Sequence, residues 1–420
     1  LMIELPYGEG RLGAEIPGGN VVRVFRPHPP GDLAGADRIE GAIREMVLRN
    51  RGLIKASEGR ICVLVSDNTR AAFNRVVIPR LLDSIGELVD TSDLRIIVAS
   101  GLHRPMSDRE LEEDLGRDVV EGFLVLNHVA EDEDRHLAIG RTSRGTEVLL
   151  DREYLEARLR IATGLVEPHF FAGFSGGYKS VLPGISAART IYQNHGFDMV
   201  GHPNARAGIL AGNPIHKDIC EAGRMSGLRL IVNVTAWGGR ISGVYAGDVE
   251  EAYARAVEEV GSRSRVAVDG LYDVVITSNG GYPLDRNLYQ AVKGISVGES
   301  VVKEGGTIII ASECRDGIAH EGFREIMERG DGPDDVLAYI KRNQPLRDQW
   351  QAQILARVLS RARVVVVSDG VGRREVERMK MEKAGDLGEA LEEAGVREGG
   401  GKSIAVIPDG PYAIPVLRPG

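Results

Sequence analysis

The chain has 420 residues, more than one hydrophobic core normally supports, so two domains are expected. With 43% hydrophobic and 27% charged residues it reads as an ordinary soluble globular protein, and a formal net charge of −9 argues against a nucleic-acid binder or a polybasic membrane anchor. No apolar run approaches the roughly 18 residues of a membrane span, the opening LMIELPYGEG lacks the features of a secretion signal, and Cys62, Cys220 and Cys314 form no Cys-x-x-Cys pair, so the expected compartment is the cytoplasm.

Along the chain, short β-branched runs predict strands at 61–65, 94–98, 123–126, 159–163, 230–234, 274–277, 307–311, 364–367 and 404–407. Helix-like stretches lie between most of them, the pattern of an α/β fold whose largely parallel sheets are covered on both faces. Ser107-Asp108-Arg109-Glu110 reads as a capping box before a short helix, and Asp248 as the N-cap of a helix over 248–260. The polar stretch 261–269 is the candidate hinge. The expected organisation is an N-terminal α/β domain over 1–265, a second over 271–400 closing on a cleft, and a segment 401–420 that packs back on the first.

Ligands of open α/β sheets bind beyond the carboxyl ends of strands, so polar clusters that follow strand runs carry the most weight. Four such clusters occur: Ser66 to Arg70, Ala99 to Pro105, Glu167 to His195, and Ser278 to Lys293. The third holds two of the nine histidines, His169 and His195, with Lys179 and four glycines in 29 positions. Its Ser175-Gly176-Gly177 turn follows a strand and precedes Lys179, a composition suited to an anion at a helix start. The spacing is not that of a Walker loop, and GxGxxG is missing.

Each residue also has a bland reading. Asp67 and Arg70 can be a turn aspartate and a solvated arginine, His103 a loop histidine, His169 a core histidine, and His195 a complement to a helix C-terminus. Tyr289 and Lys293 share a helix face at i, i+4 whether or not a ligand is there. The letters Gly173-Phe174-Ser175-Gly176-Gly177 also permit a serine hydrolase using Ser175 with His195 or His169. A nucleotide-binding module without catalysis would keep the glycine turn and need neither His103 nor Arg70.

Taken together, SDNTR, ASGLHRP, EPHFFAGFSGGYKSVLPGI, the isolated His195 and GYPLDRNLYQAVK, in that order from Ser66 to Lys293, resemble the nickel-dependent lactate racemase family. The resemblance implies two α/β domains with a nickel-pincer nucleotide between them, a pyridinium mononucleotide whose two sulfur-containing arms and a ring carbon grip nickel. By motif position, Lys179 resembles the lysine joined to one arm as a thioamide, and His195 the fourth nickel ligand. Three pincer donors and one neutral imidazole suit square-planar Ni(II). His103 and His169 resemble the paired acid/base histidines, Arg70 and Lys293 the cations that hold the substrate carboxylate, and Tyr289 and Gln290 residues of the same pocket. Asp67 and Thr69 are expected to shape their loop or touch the cofactor, with Ser175, Gly176 and Gly177 turning around its anion.

The implied reaction is the interconversion of 2-hydroxy acid stereoisomers, by hydride transfer to the cofactor ring through a planar 2-keto acid, while the histidines exchange the hydroxyl proton. The expected partners are a small 2-hydroxy acid and the enzymes that build the cofactor. Ala71 stands where many family members carry proline. Substrates of the family extend beyond lactate, and Gln290 offers a polar group to a larger one, so the expectation is a 2-hydroxyacid racemase or epimerase.

Overall fold

The computed structural model describes residues 1–69 and 73–418. Two six-stranded sheets organise them. The first has the order Arg240–Asp248, Leu230–Trp237, Leu159–Leu165, Ile61–Val65, Arg95–Val98, Leu124–Asn127 and is parallel except for Arg240–Asp248, which returns antiparallel along its neighbour. The second, parallel throughout, has the order Glu382–Ala384, Arg363–Val367, Val302–Ala311, Tyr272–Ser278, Ser403–Ile407, Val21–Val24.

The apolar runs are strands because both of their faces are covered. All five residues of Ile61–Val65 are buried, as are the last five of Val302–Ala311. One face of the first sheet packs on Ile39, Ile43, Ile78 and Leu81 of flanking helices. Its other face belongs to a cluster that also takes in Val275, Ile308 and Ile310 of the second sheet and the helix residues Ile295 and Ile354, so one apolar core runs from sheet to sheet. Every expected strand is present, and the capping box at Ser107 and the Asp248 cap both form.

Three boundaries differ from the expectation. Residues 1–24 do not belong with the first unit: Val21–Val24 pairs with Ser403–Ile407, and Ile3, Leu5 and Ile16 cover the outer face of the second sheet. The segment 401–420 splits, because Ser403–Ile407 is itself a strand of the second sheet while Ile414 packs on Val166, Phe174 and Val260 of the first unit. The candidate hinge 261–269 is almost all regular structure: the helix Val249–Ser264 runs into it, and Arg265–Val268 then pairs in parallel with Ile414–Leu417. Amphipathic continuation of the helix outweighs the polar letters there. Among the described residues no helix is long and apolar enough to cross a membrane.

Candidate active site

The carboxyl ends of Ile61–Val65, Arg95–Val98 and Leu159–Leu165 and the helix Leu288–Glu299 of the second unit meet at a cavity of about 190 Å³. Asp67, Thr69, His103, His169, Ser175, Gly176, Lys179, His195, Tyr289, Gln290 and Lys293 all line it, so the four sequence clusters converge. Arg70 lies outside the described residues.

Asp67 is buried at the end of its strand, and its Oδ2 lies 2.6 Å from His103 Nδ1. Oδ1 accepts the Thr69 hydroxyl at 2.6 Å and the Thr69 N–H at 3.3 Å, which fixes the carboxylate. A carboxylate only accepts, so in the neutral form of His103 the proton sits on Nδ1 and Nε2 keeps a lone pair. His103 leaves a tight turn: its N–H donates to Ser100 O at 3.0 Å, and Gly101, at φ +56°, donates to Gly184 O at 2.9 Å.

His169 is buried on a two-residue strand, Pro168–His169, paired with Gly173–Phe174. Gly173 has φ +85°, and a Cβ there would lie 2.5 Å from Ile209 O, so only glycine closes this hairpin. Phe170 stacks on the imidazole at 5.0 Å and Phe171 meets it edge-on at 4.5 Å. The Ala172 N–H donates to His169 Nδ1 at 3.3 Å, which puts the proton of the neutral ring on Nε2. In their neutral forms the two rings are thus set up as opposite tautomers.

His195 closes the helix Ala188–Asn194 and sits buried between Phe171 and Trp350, with ring centroids at 5.0 and 5.1 Å. Burial, and after it the positive charge of Lys179, holds its pKa well below 6.5, so the ring is neutral. Its Nδ1 is buried with no hydrogen-bond partner among the described residues. A bare buried nitrogen costs on the order of 1–3 kcal/mol, and a neutral imidazole is the form that binds metals. No group of three or more His, Cys, Asp or Glu among the described residues could hold a metal ion, so a metal at His195 would have to bring most of its ligands with it.

Two family models match the chain, the lactate racemase N-terminal domain over residues 7–208 and the lactate racemase C-terminal domain over residues 269–414. Lactate racemase from Thermoanaerobacterium thermosaccharolyticum is 38% identical over 417 residues, with 97% of each chain covered. The chain belongs to the lactate racemase family. It is an isomerase. Lactate racemase from Lactiplantibacillus plantarum is also 38% identical, over 97% of this chain and 98% of its own. The solved apoprotein of the Thermoanaerobacterium enzyme superposes with a TM-score of 0.93 at 37% identity, covering all of both chains. A Thermotoga maritima protein of 19% identity shares the fold, with a TM-score of 0.71 over 93% of this chain and all of its own.

Within this member of the lactate racemase family the glycine turn departs from the sequence expectation. Gly177–Ser180 is a single 3-10 turn rather than the start of a helix, and the Gly177 N–H is taken by Asn233 Oδ1 at 2.9 Å. Gly177 faces the Tyr253 ring and does not line the cavity. The Gly177 N–H is thus not open to an anion, while Lys179 on the same turn lines the cavity with its ammonium 5.9 Å from the Phe171 ring centroid. Ser175 is no nucleophile: its buried hydroxyl donates to Leu165 O at 2.7 Å and accepts the Glu167 N–H at 3.0 Å. Both hydrogen bonds tie it to backbone.

Four cavity residues of the second unit, His320, Asp348, Trp350 and Gln351, have no counterpart in the sequence reading. Asp348 accepts the Tyr289 hydroxyl at 3.1 Å and lies 3.0 Å from His320 Nδ1, while the Tyr289 and His320 rings stack at 3.9 Å. Burial, then the Asp348 charge, raises the Tyr289 pKa well above 10, so the phenol stays a donor. His320 lies at the far end of the segment after the strand Val302–Ala311, just before the helix Glu321–Met327, and the other three follow a helix. Asp348 and Trp350 start the helix Gln349–Leu359, and their one signal in the letters is that Trp350 is one of two tryptophans.

Proposed function

We propose that this protein is a racemase or epimerase of a small 2-hydroxy acid that works with a nickel-pincer nucleotide held by Lys179 and His195. The observation that carries the reading is the opposite engagement of the two Nδ1 atoms in one cavity, His103 on the Asp67 carboxylate and His169 on the Ala172 N–H: in the neutral rings Nε2 of His103 then has a lone pair to accept a hydroxyl proton, and Nε2 of His169 has a proton to give. Stereoisomers at C2 present their hydroxyls in different places, so an enzyme that takes both needs two such groups, and after each turnover their roles exchange. Asp67 fixes the orientation of the His103 ring through Nδ1.

Lys293 lines the same cavity and suits a substrate carboxylate, with Gln290 beside it; Arg70 is proposed for the same task from its motif position. The neutral, bare Nδ1 of His195 suits a fourth metal ligand, and the amine of Lys179, on a rigid turn, suits covalent attachment of the nucleotide. Bound there, the group supplies a hydride acceptor for an unactivated C–H. Phe170 and Phe171 exclude water around His169, and Phe171 and Trp350 do so around His195.

The test uses cofactor-loaded protein and a chiral assay of 2-hydroxy acids. His103→Ala and His169→Ala are each expected to lower interconversion by about 10²–10⁴-fold with nickel content unchanged. Retained activity in both sinks the assignment of roles. In Lys179→Ala and His195→Ala the nickel measured by elemental analysis should fall; full occupancy in both contradicts the cofactor reading.

A further inference from the structure

Two consecutive residues of the second unit reach in opposite directions, one across the cleft and one back into its own unit. Arg347 donates from Nη1 to Glu131 Oε1 at 3.1 Å and from Nη2 to the backbone carbonyl of Leu102, the residue before His103. Asp348 turns the other way and takes Tyr289 and His320. The divergence is built into the backbone, because Asp348 is buried in the left-handed region at φ +65°, a conformation rare outside glycine, and leads directly into the helix Gln349–Leu359.

On its inner side the turn that carries His103 is pinned by the first unit, through Gly101 N–H to Gly184 O at 2.9 Å and Ser100 Oγ to His128 O at 3.2 Å. Its outer side, at Leu102 O, is held by a guanidinium from the other unit. The ion pair with Glu131 is half-exposed on both sides and by itself worth little. The carbonyl contact is the one that bears on the reaction. An imidazole displaced by about 1 Å from its proton partner costs on the order of 10²-fold in rate.

We propose that Arg347 is a positioning residue for His103: it ties the acid/base turn of the first unit to the Asp348, Tyr289 and His320 network of the second, so that the two walls of the cavity set each other's geometry. The proposal rests on the racemase reading for its kinetic arm only. In cofactor-loaded protein, Arg347→Ala is expected to lower kcat by about 10–100-fold with KM within threefold. Arg347→Lys, which keeps a donor within reach of the carbonyl, should recover a large part of that loss, and Glu131→Ala should stay within threefold of wild type.

Histidine-selective NMR of the same proteins supplies the second arm. The His103 imidazole signals should shift or broaden in Arg347→Ala while those of His169 stay in place. Unchanged kcat together with unchanged His103 signals overturns the proposal. So does a rise in KM at constant kcat, which would make Arg347 a substrate-binding group, or a Glu131→Ala loss equal to that of Arg347→Ala. If the wild-type protein interconverts no 2-hydroxy acid yet the His103 signals respond as stated, the racemase reading fails and the positioning role stands.

Discussion

A hydroxyl that already makes two hydrogen bonds to backbone is unavailable for attack, and Ser175 is in that state. It joins Leu165 O to the Glu167 N–H, holding the bend that brings His169 to the cavity. Ser175→Ala should therefore cost about 1–3 kcal/mol in urea unfolding, because a buried donor and acceptor lose their partner. It should leave kcat within about tenfold of wild type. Loss of turnover at unchanged stability would return the hydrolase reading. The contrast with His195 is instructive: its Nδ1 is, with Gln290 Oε1, a buried cavity atom that the described residues leave bare, and nothing in the letters QNHGF distinguishes it from a helix cap.

The elements that hold the site also explain what was legible beforehand. Strands such as Ile61–Val65 were readable because burial on both faces demands unbroken β-branched runs, and the polar residues at their ends identified Asp67, His103 and His169. His320 and Asp348 were not readable, since they reach the cavity from loops and helix starts whose placement depends on packing between the units. Gly223 was not readable either, for a reason inside the first unit. It lies in the helix Pro214–Met225, where glycine normally costs about 1 kcal/mol against alanine. Here a Cβ would lie 2.6 Å from the Tyr178 Cβ and overlap its ring, and Tyr178 precedes Lys179 on the turn. Gly223→Ala should thus destabilise by about 1–3 kcal/mol in chemical denaturation instead of stabilising, and should reduce nickel retention by displacing Lys179. A stabilised variant would show that Tyr178 can give way freely.

At the scale of the molecule, His195 is buried in the first unit, and Lys179 and His216 are partly buried there, so the packed interior takes a positive charge and two imidazoles partly out of water. Burial, then the charges of Lys179 and Arg224, lowers the His216 pKa to about 4, and His195 lies well below 6.5 for related reasons. The unfolded chain takes up these protons near pH 6.5 and the native state does not, so stability is full above that pH and falls as pH drops toward 4. For His216 alone the loss is on the order of 3 kcal/mol. Urea unfolding at pH 7, 6 and 5 should show a declining midpoint, and His216→Asn should flatten the decline. Lys179→Met, which removes one source of the depression while burial persists, should flatten it by less. An equal slope in all three proteins would mean that neither imidazole is shielded as the packing requires.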